Sequence, residues 1–315
     1  MKNFFYQILH IALVILIAPL IVGIASKTRS RLLMKKGPPL FQPYRDLLKL
    51  FRKESTLPEN ASWLFKAVPY GVFSLSLVAI SLVPTFSSDL LFGRAADLIT
   101  IIALLGTARF LLSLAAMDPG TSFGGLGSSR ESFISSLAEP AMIMIIFTLS
   151  LLARSTDLSA ISHFMMSGQV GLRVSLWLAL ASLILVAIAE NGRIPIDNPS
   201  THLELTMVHE AMILEYSAKY LALLEAASHL KLLLYLSLII TVFFPFGMTS
   251  PDKGIASLLM ALCIYLAKIG AAALILAFFE TLVAKMRLFK IPSFLGAAFM
   301  IALLATILLF VSRSL

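Results

Sequence analysis

Six carboxylate side chains follow one another in the second half of a very apolar chain, and carboxylates can carry protons or ions. They are Glu190, Asp197, Glu204, Glu210, Glu215 and Glu225. A charged side chain near the centre of a bilayer costs at least about 2.5 kcal/mol, so such groups normally face a protein or water interior. Their density therefore predicts a route for protons or ions.

The middle of this acidic segment has the pattern of a helix. Asn198 followed by Pro199 is typical of an N-cap and a first helical position, which predicts a helix over 199–216. Glu204 and Glu215 are eleven residues apart, close to three whole turns, so they project from nearly the same face. A charged, solvated helix is the alternative, but many large apolar residues in the same stretch argue against full exposure to water.

Histidine and cysteine limit the metal and redox chemistry of the chain. His202 and His209 share a helix face beside Glu210, but the sequence has no H-E-x-x-H zinc motif. A proton relay or simple hydrogen bonding is therefore favoured over metal binding at this pair. The lone Cys263 cannot hold an iron–sulfur cluster, which takes about four ligands. Any electron transfer must run through another chain.

Two further charged residues lie inside apolar stretches. Glu139, beside Pro140, is expected to be a buried carboxyl that exchanges protons, or alternatively a structural partner of a neighbouring Arg or Lys. Lys268 lies in the middle of another apolar stretch. It is interpreted as a counter-ion to one of the acids or as a relay group.

The composition is that of a membrane protein, since 59% of the residues are hydrophobic and 13% are charged. A helix needs about 20 apolar residues to cross the hydrocarbon core. The sequence predicts a single all-α domain over 1–315, a polytopic bundle of about eight transmembrane helices. The predicted spans are roughly 3–26, 64–84, 96–117, 132–153, 172–190, 224–247, 255–283 and 293–312. The first is expected to be a retained helix, because it lacks a small-residue cleavage site.

The net charge of +8 does not indicate nucleic acid, because the basic residues are grouped in loops. One dense group lies between the first two spans, and a smaller group lies between the last two. With eight spans, both groups fall on the same side as the acidic segment. The positive-inside rule then places these loops in the cytoplasm and predicts a multi-pass protein of the cell inner membrane.

Two loops on this side have distinctive sequences. The first, 35–54, has a turn at Gly37-Pro38 followed by an amphipathic pattern. This pattern predicts a short helix that either lies on lipid headgroups or forms a docking surface for a soluble partner. The second, 118–131, is rich in glycine but lacks the context of a phosphate-binding motif. It is expected to be a flexible cytoplasmic loop.

Several motifs together suggest a family. They are Gln42-x-Tyr44-Arg45-Asp46, Arg130 with Glu139, Glu190…Arg193-x-Pro195-x-Asp197, Glu204-Leu205 and Glu215-Tyr216-Ser217. Their order resembles the subunit 1 family of respiratory complex I, which includes the membrane subunits of energy-converting NiFe hydrogenases and formate hydrogenlyases. The hydrogenase branch is favoured, because the first loop is short and Ser200 and His202 stand where quinone reductases carry further glutamates.

The resemblance implies a non-catalytic subunit of an oxidoreductase complex. A NiFe hydrogenase large subunit and an iron–sulfur small subunit would dock on it and hold the NiFe centre and the iron–sulfur clusters, beside antiporter-like membrane subunits in the lipid bilayer. The docking residues would be Lys35, Lys36, Gly37, Pro38, Gln42, Arg45, Asp46, Arg130, Glu131 and Arg193. The proton or charge relay would be Glu139, Glu190, Asp197, His202, Glu204, Glu210, Glu215 and Lys268.

Two other functions remain open at this point. In a quinone-reducing relative of complex I, Arg29, the Lys35-Lys36 turn and the acidic segment would line a quinone cavity. A stand-alone cation or proton carrier would use the same carboxylates. The carrier is disfavoured, because an internal inverted repeat of broken helices is not apparent in the sequence.

Overall fold

The computed structural model describes residues 2–88, 90–166, 174–193, 208–250, 254–282 and 291–314. Within these ranges the chain is helical, and its only strand-like pairings are the isolated bridges Ser87–Thr249 and Asp97–Asp157. The α-helices are α1 Lys2–Leu32, α2 Gln42–Arg52, α3 Trp63–Leu82, α4 Leu98–Met117, α5 Ser122–Ala153, α6 Leu158–Met166, α7 Val174–Glu190, α8 His209–Ile213, α9 Ala218–Phe243, α10 Gly254–Leu282 and α11 Ile291–Ser314. A 3-10 helix covers Leu91–Ala95.

The helices form a polytopic membrane bundle, as the sequence predicted. Seven helices in the described ranges are long and apolar enough to cross a membrane. The remaining predicted span, 172–190, corresponds to α7, which is apolar but shorter. The bounds differ at some ends, because α1 continues to Leu32 and α9 already begins at Ala218.

The glycine-rich stretch 118–131 was predicted to be a flexible loop, and that prediction is wrong. The chain turns at Gly120, where φ is +70°, and α5 begins at Ser122 with the Thr121 hydroxyl accepting a hydrogen bond from the Gly124 amide at 3.3 Å. A Cβ at Gly124 would lie 2.1 Å from the Ala116 carbonyl oxygen. The glycines therefore permit close helix packing, as small residues do between membrane helices.

The amphipathic helix predicted in the first loop is confirmed as α2. Pro43 lies in its first turn, where a missing amide hydrogen costs nothing. The helix packs against α1 and α9. The Leu40 carbonyl fits against Gly23 of α1, and the Tyr44 hydroxyl donates a hydrogen bond to the Leu16 carbonyl. These contacts hold the start of α2 along α1.

The first half of the helix predicted over 199–216 lies outside the described residues, and in the described half, 208–216, the chain is helical only at α8, His209–Ile213. Ala211 and Met212 of α8 are buried and pack over Gly127 of α5, where a Cβ would lie 3.0 Å from Met212 Cγ. The ring of Tyr216 stacks on Phe65 with centroids 3.9 Å apart, and its hydroxyl donates to the Phe65 carbonyl at 3.1 Å. The end of the acidic segment is thus fixed to α3 and α5.

Candidate functional site

A cavity of about 460 Å³ lies among the helices near the end of α1. Its apolar walls include Val72, Leu105 and Ile134. Its cations are Arg29, Arg109, Arg193 and Lys231, and its carboxylates are Glu131, Glu190, Glu210 and Glu280. Opposite charges in equal number allow these groups to neutralise one another inside an apolar bundle, which is how buried charges are normally tolerated.

Glu190, the last residue of α7, lies between two of these cations. Its side chain is only 2% exposed. Arg109 of α4 donates a short hydrogen bond to Glu190 Oε1, and Lys231 Nζ of α9 lies 3.0 Å from Oε2. One buried carboxylate therefore connects three helices and shares its charge between two partners.

Arg109 also reaches a second carboxylate. Its NH2 group donates to Glu139 Oε1 at 2.9 Å, so the guanidinium bridges Glu190 and Glu139. Lys231, Glu190, Arg109 and Glu139 thus form one continuous chain of charges, defined here as the charge network. It leads from the cavity into the space between α4 and α5.

The charge network ends at the side of the bundle. Glu139 was expected to be buried, and this expectation is wrong, because its side chain is 46% exposed. Glu139 faces α4 at Gly106, where a Cβ would lie 3.6 Å from Oε1, and Ile143 one turn further along α5 is also exposed. The alternative, a pairing of Glu139 with a neighbouring Arg, is what the structure contains.

His209 of α8 lines the cavity beside the charge network. Burial removes water from its imidazolium, and the positive charge of Lys231 acts in the same direction. Together they lower the pKa of His209 from its ordinary value of 6.5 to about 4. The ring is therefore neutral at physiological pH and can both donate and accept a hydrogen bond.

Comparison with known proteins identifies the family of the chain. Residues 6–311 match the family model described as NADH dehydrogenase. The chain belongs to the NADH dehydrogenase family. The family resemblance found in the motifs is thereby confirmed.

Two relatives of this chain are named as parts of a formate hydrogenlyase and of a hydrogenase. Formate hydrogenlyase subunit 4 of Escherichia coli (strain K12) is 30% identical over 300 residues, covering 95% of this chain and 96% of the relative. Hydrogenase-4 component C of the same organism is 31% identical over 300 residues, covering 95% and 94%.

A solved structure has the same fold. It comes from the membrane-bound sulfane sulfur reductase, described as an archaeal respiratory membrane complex. The match has a TM-score of 0.82 at 19% identity and covers 98% of this chain and 100% of that one. At this identity the likeness shows the fold alone.

A second cluster of charged side chains, Arg29, Arg193 and Glu280, also lines the cavity. Glu280 of α10 has a side chain that is 4% exposed. It accepts a hydrogen bond from Arg193 NH1 at 3.2 Å, and Arg29 NH1 of α1 lies 3.7 Å from its other oxygen. This cluster joins α1 and α10 to the chain that follows α7.

Three of these charged residues were not predicted as functional from the sequence: Arg109, Lys231 and Glu280. Each is a charged residue within an apolar helix, which is the signal that drew attention to Glu139 and Lys268. If every predicted span is searched for charged residues, Arg109, Lys231 and Glu280 are found as well. The sequence does not reveal how each helix is rotated about its own axis, and that rotation decides which charged side chains come into contact.

The structure brings some predicted relay residues together and not others. Glu139 and Glu190 belong to the charge network, and Glu210 lines the cavity. Glu215 is partly buried outside the cavity lining. Three predicted relay residues lie outside the described residues: Asp197, His202 and Glu204.

Lys268 does not meet any acid in the described part of the chain. Its ammonium group donates to the Phe244 carbonyl at 2.7 Å and to the Phe246 carbonyl, and it lies 3.8 Å from the centroid of the Phe246 ring. These carbonyls belong to the turn that follows α9, so Lys268 provides hydrogen-bond donors to the backbone of that turn. Its described contacts are with backbone oxygens and an aromatic ring rather than with a carboxylate.

The predicted docking residues divide into two groups. Lys35, Lys36, Gly37, Pro38, Gln42, Arg45 and Asp46 lie at or near the surface around α2, and Arg130 is partly buried in α5. Glu131 and Arg193 instead line the cavity. Arg193 is paired with Glu280, and Glu131 is part of the helix α5. The docking role of both residues stays a prediction.

Proposed function

We propose that the chain is the membrane anchor and proton- or ion-coupling subunit of a membrane-bound NiFe hydrogenase complex of the formate hydrogenlyase type. Family membership and the printed names of the two Escherichia coli relatives support this proposal. In this proposal, the end of the bundle that carries the basic first loop, 35–54, faces the cytoplasm and binds the redox subunits. The side of the bundle that carries Glu139 faces antiporter-like membrane subunits.

The charge network is the observation that carries the coupling role. It begins at Lys231 beside the cavity and ends at the half-exposed Glu139 on the side of the bundle. A half-exposed carboxylate is costly against lipid, so a neighbouring protein surface or water is the favourable environment for it. The network therefore links the end where a redox module would dock to the side where a membrane partner would lie.

The mechanism follows from the sharing of Arg109. When the docked module changes its redox state, its charge or its contacts at the cavity change, and the proton affinity of Glu190 changes with them. Since Arg109 pairs with Glu190 and Glu139 together, a proton gained by one carboxylate frees the guanidinium for the other. Titrations of groups that interact this strongly are coupled. Charge is then displaced laterally, from Glu190 toward Glu139, and no covalent bond is made or broken by this chain.

The redox cofactors are proposed to belong to the partner subunits. The chain has one cysteine, Cys263, which lies exposed on α10. The NiFe centre and the iron–sulfur clusters would be held by the large and small subunits bound at Lys35, Lys36, Gln42, Arg45 and Asp46. This chain would contribute surface and electrostatic field to them.

Mass spectrometry of the intact complex, purified through a tag on this chain, tests the proposal. The expected result is co-purification of a NiFe large subunit, an iron–sulfur small subunit and antiporter-like membrane subunits. Co-purification of only NADH-linked or quinone-linked subunits would overturn it.

A quinone-binding subunit is a second candidate, and the cavity favours it. Its volume of about 460 Å³ falls within the range of small-molecule sites, about 300–1,000 Å³, which also combine apolar walls with a few polar groups. A quinone-dependent activity of the purified complex would support this candidate. Hydrogen evolution that is unaffected by added quinones and quinone-site inhibitors would count against it.

A further inference from the structure

The start of α2 lies beside α1, close to the point where the sequence of α1 changes from apolar to charged. The Leu40 carbonyl, just before α2, abuts Gly23 of α1, which lies about 13 Å before the end of α1 at 1.5 Å per residue. The sequence of α1 is apolar up to Ala25, and its first charge after the apolar run is Lys27. An amphipathic helix held at this level lies where hydrocarbon meets lipid headgroups.

One side of α2 is apolar and is not covered by the bundle. Leu47 and Leu50 are partly buried toward the bundle. Leu48 and Phe51 point away from it and are 58% and 51% exposed, and Phe41 beside them is exposed as well. Apolar side chains grouped in this way mark a surface that contacts another molecule or a membrane.

Basic side chains border this apolar strip. Arg45 and Arg52 stand three positions before and four positions after Leu48 and therefore flank it on the helix surface, with Lys49 beside them. All three are exposed. The acidic Asp46 stands three positions before Lys49, and its carboxylate accepts a hydrogen bond from Gln42 Nε2 at 2.8 Å. Long basic side chains beside an apolar strip can keep their charges at headgroup level while their stems lie on hydrocarbon.

We propose that this surface of α2, formed by Arg45, Leu48, Lys49, Phe51 and Arg52, is a binding site for anionic phospholipid. The apolar side chains enter the acyl region, and the three cations hold the phosphate groups. The level of α2 along α1 and its three basic side chains both favour a phospholipid as the ligand, because lipid phosphates provide negative charge at the level of the helix. Each basic side chain strengthens association with an anionic surface about fivefold.

The inference does not depend on the proposed hydrogenase role. Of the predicted docking residues on α2, the lipid surface takes only Arg45, and Gln42 and Asp46, which are hydrogen-bonded to each other, stay available to a docked protein. Lipid binding would fix the angle at which α2 leaves α1. The site would therefore hold the docking surface at a constant height above the membrane.

Site-specific photocrosslinking in native membranes tests the inference. A benzoylphenylalanine residue is placed at Leu48 or Phe51 in the full complex, and its adducts are identified by mass spectrometry after irradiation. We expect phospholipid adducts in which anionic lipids exceed their share of the bulk membrane several-fold. The double variant Lys49→Gln with Arg52→Gln should bring this enrichment down close to the bulk share, because each charge carries a factor of about five.

Matched controls separate this site from ordinary lipid contact. Benzoylphenylalanine at Phe310, which is exposed on α11, should yield adducts with the bulk lipid composition. The variant Lys66→Gln, which removes a basic residue from the start of α3, should leave the enrichment at Leu48 unchanged. Protein adducts at both α2 positions, or lipid adducts of bulk composition that the charge substitutions do not alter, would overturn the inference.

Discussion

Glu190 is the residue on which the charge network depends. Its carboxylate is the shared partner of Arg109 and Lys231, while its own side chain is almost fully buried. Removal of one member of a buried ion pair is costly because an uncompensated charge stays behind. Glu139 makes one ion pair and is half exposed, so its removal costs much less.

The variants Glu190→Gln and Glu139→Gln should therefore differ in stability. We expect Glu190→Gln to lose about 3 kcal/mol or more, and Glu139→Gln to lose about 1 kcal/mol or less. Thermal unfolding in detergent measures both, with the exposed Glu59→Gln as the control. Equal losses for the two variants would show that Glu190 is not the buried centre of the network.

His209 should make stability depend on pH in acid. Because its folded-state pKa is lowered to about 4 from 6.5, the unfolded chain takes up the proton first as pH falls. The contribution of His209 is fully present above pH 6.5 and is lost as pH falls from 6.5 toward 4. His209→Gln should reduce the dependence of the unfolding midpoint on pH over this window, and the exposed His163→Gln should leave that dependence unchanged. A His209→Gln variant with the wild-type pH profile would contradict the assignment.

At the scale of residues, the sequence revealed that charges lie in the membrane but not which charges meet. Glu139 and Glu190 could be found because a carboxylate in an apolar stretch is rare. Their partner Arg109 depends on how α4 and α5 are rotated against each other. That rotation is set by many apolar contacts of similar strength, and none of them is marked in the sequence.

At the scale of helices, close packing of α4 on α5 positions the charge network. Gly124 provides the close approach at one end of this pair, and Gly106 leaves room beside Glu139. Glycine in water disfavours a helix, which is why 118–131 was interpreted as a loop. Between membrane helices, the gain from close packing outweighs that preference.

Gly124 and Gly125 offer a matched test of this packing. A Cβ at Gly124 would lie 2.1 Å from a backbone oxygen, whereas a Cβ at Gly125 would meet nothing within 4 Å. We expect Gly124→Ala to lower the thermal unfolding midpoint and to weaken the α4–α5 contact. Gly125→Ala should be neutral or stabilise the protein by up to about 1 kcal/mol, because alanine is the better helix former. A stable Gly124→Ala variant would argue against the close contact.

At the scale of the whole molecule, the sequence predicted the architecture well. An all-helical bundle with about eight spans follows from the length of the apolar stretches, and seven long helices together with α7 match that prediction. The alternative of a quinone cavity named Arg29 and the acidic segment, and Arg29, Glu190 and Glu210 do line the cavity. The rest of its lining was not predicted, because it comes from several helices that are far apart in sequence. The charge network joins this cavity to the side of the bundle.

Ion translocation by the reconstituted complex tests this path most directly. Vesicles containing the complex with Glu139→Gln are supplied with a soluble electron donor, and hydrogen evolution and the transmembrane ion gradient are measured together. Assembly and hydrogen evolution should be largely kept, while the gradient formed per turnover falls to a small fraction of the wild-type value, because the charge network loses the carboxylate at which it ends. The Glu59→Gln complex should behave as wild type. A Glu139→Gln complex that builds the normal gradient per turnover would contradict the account.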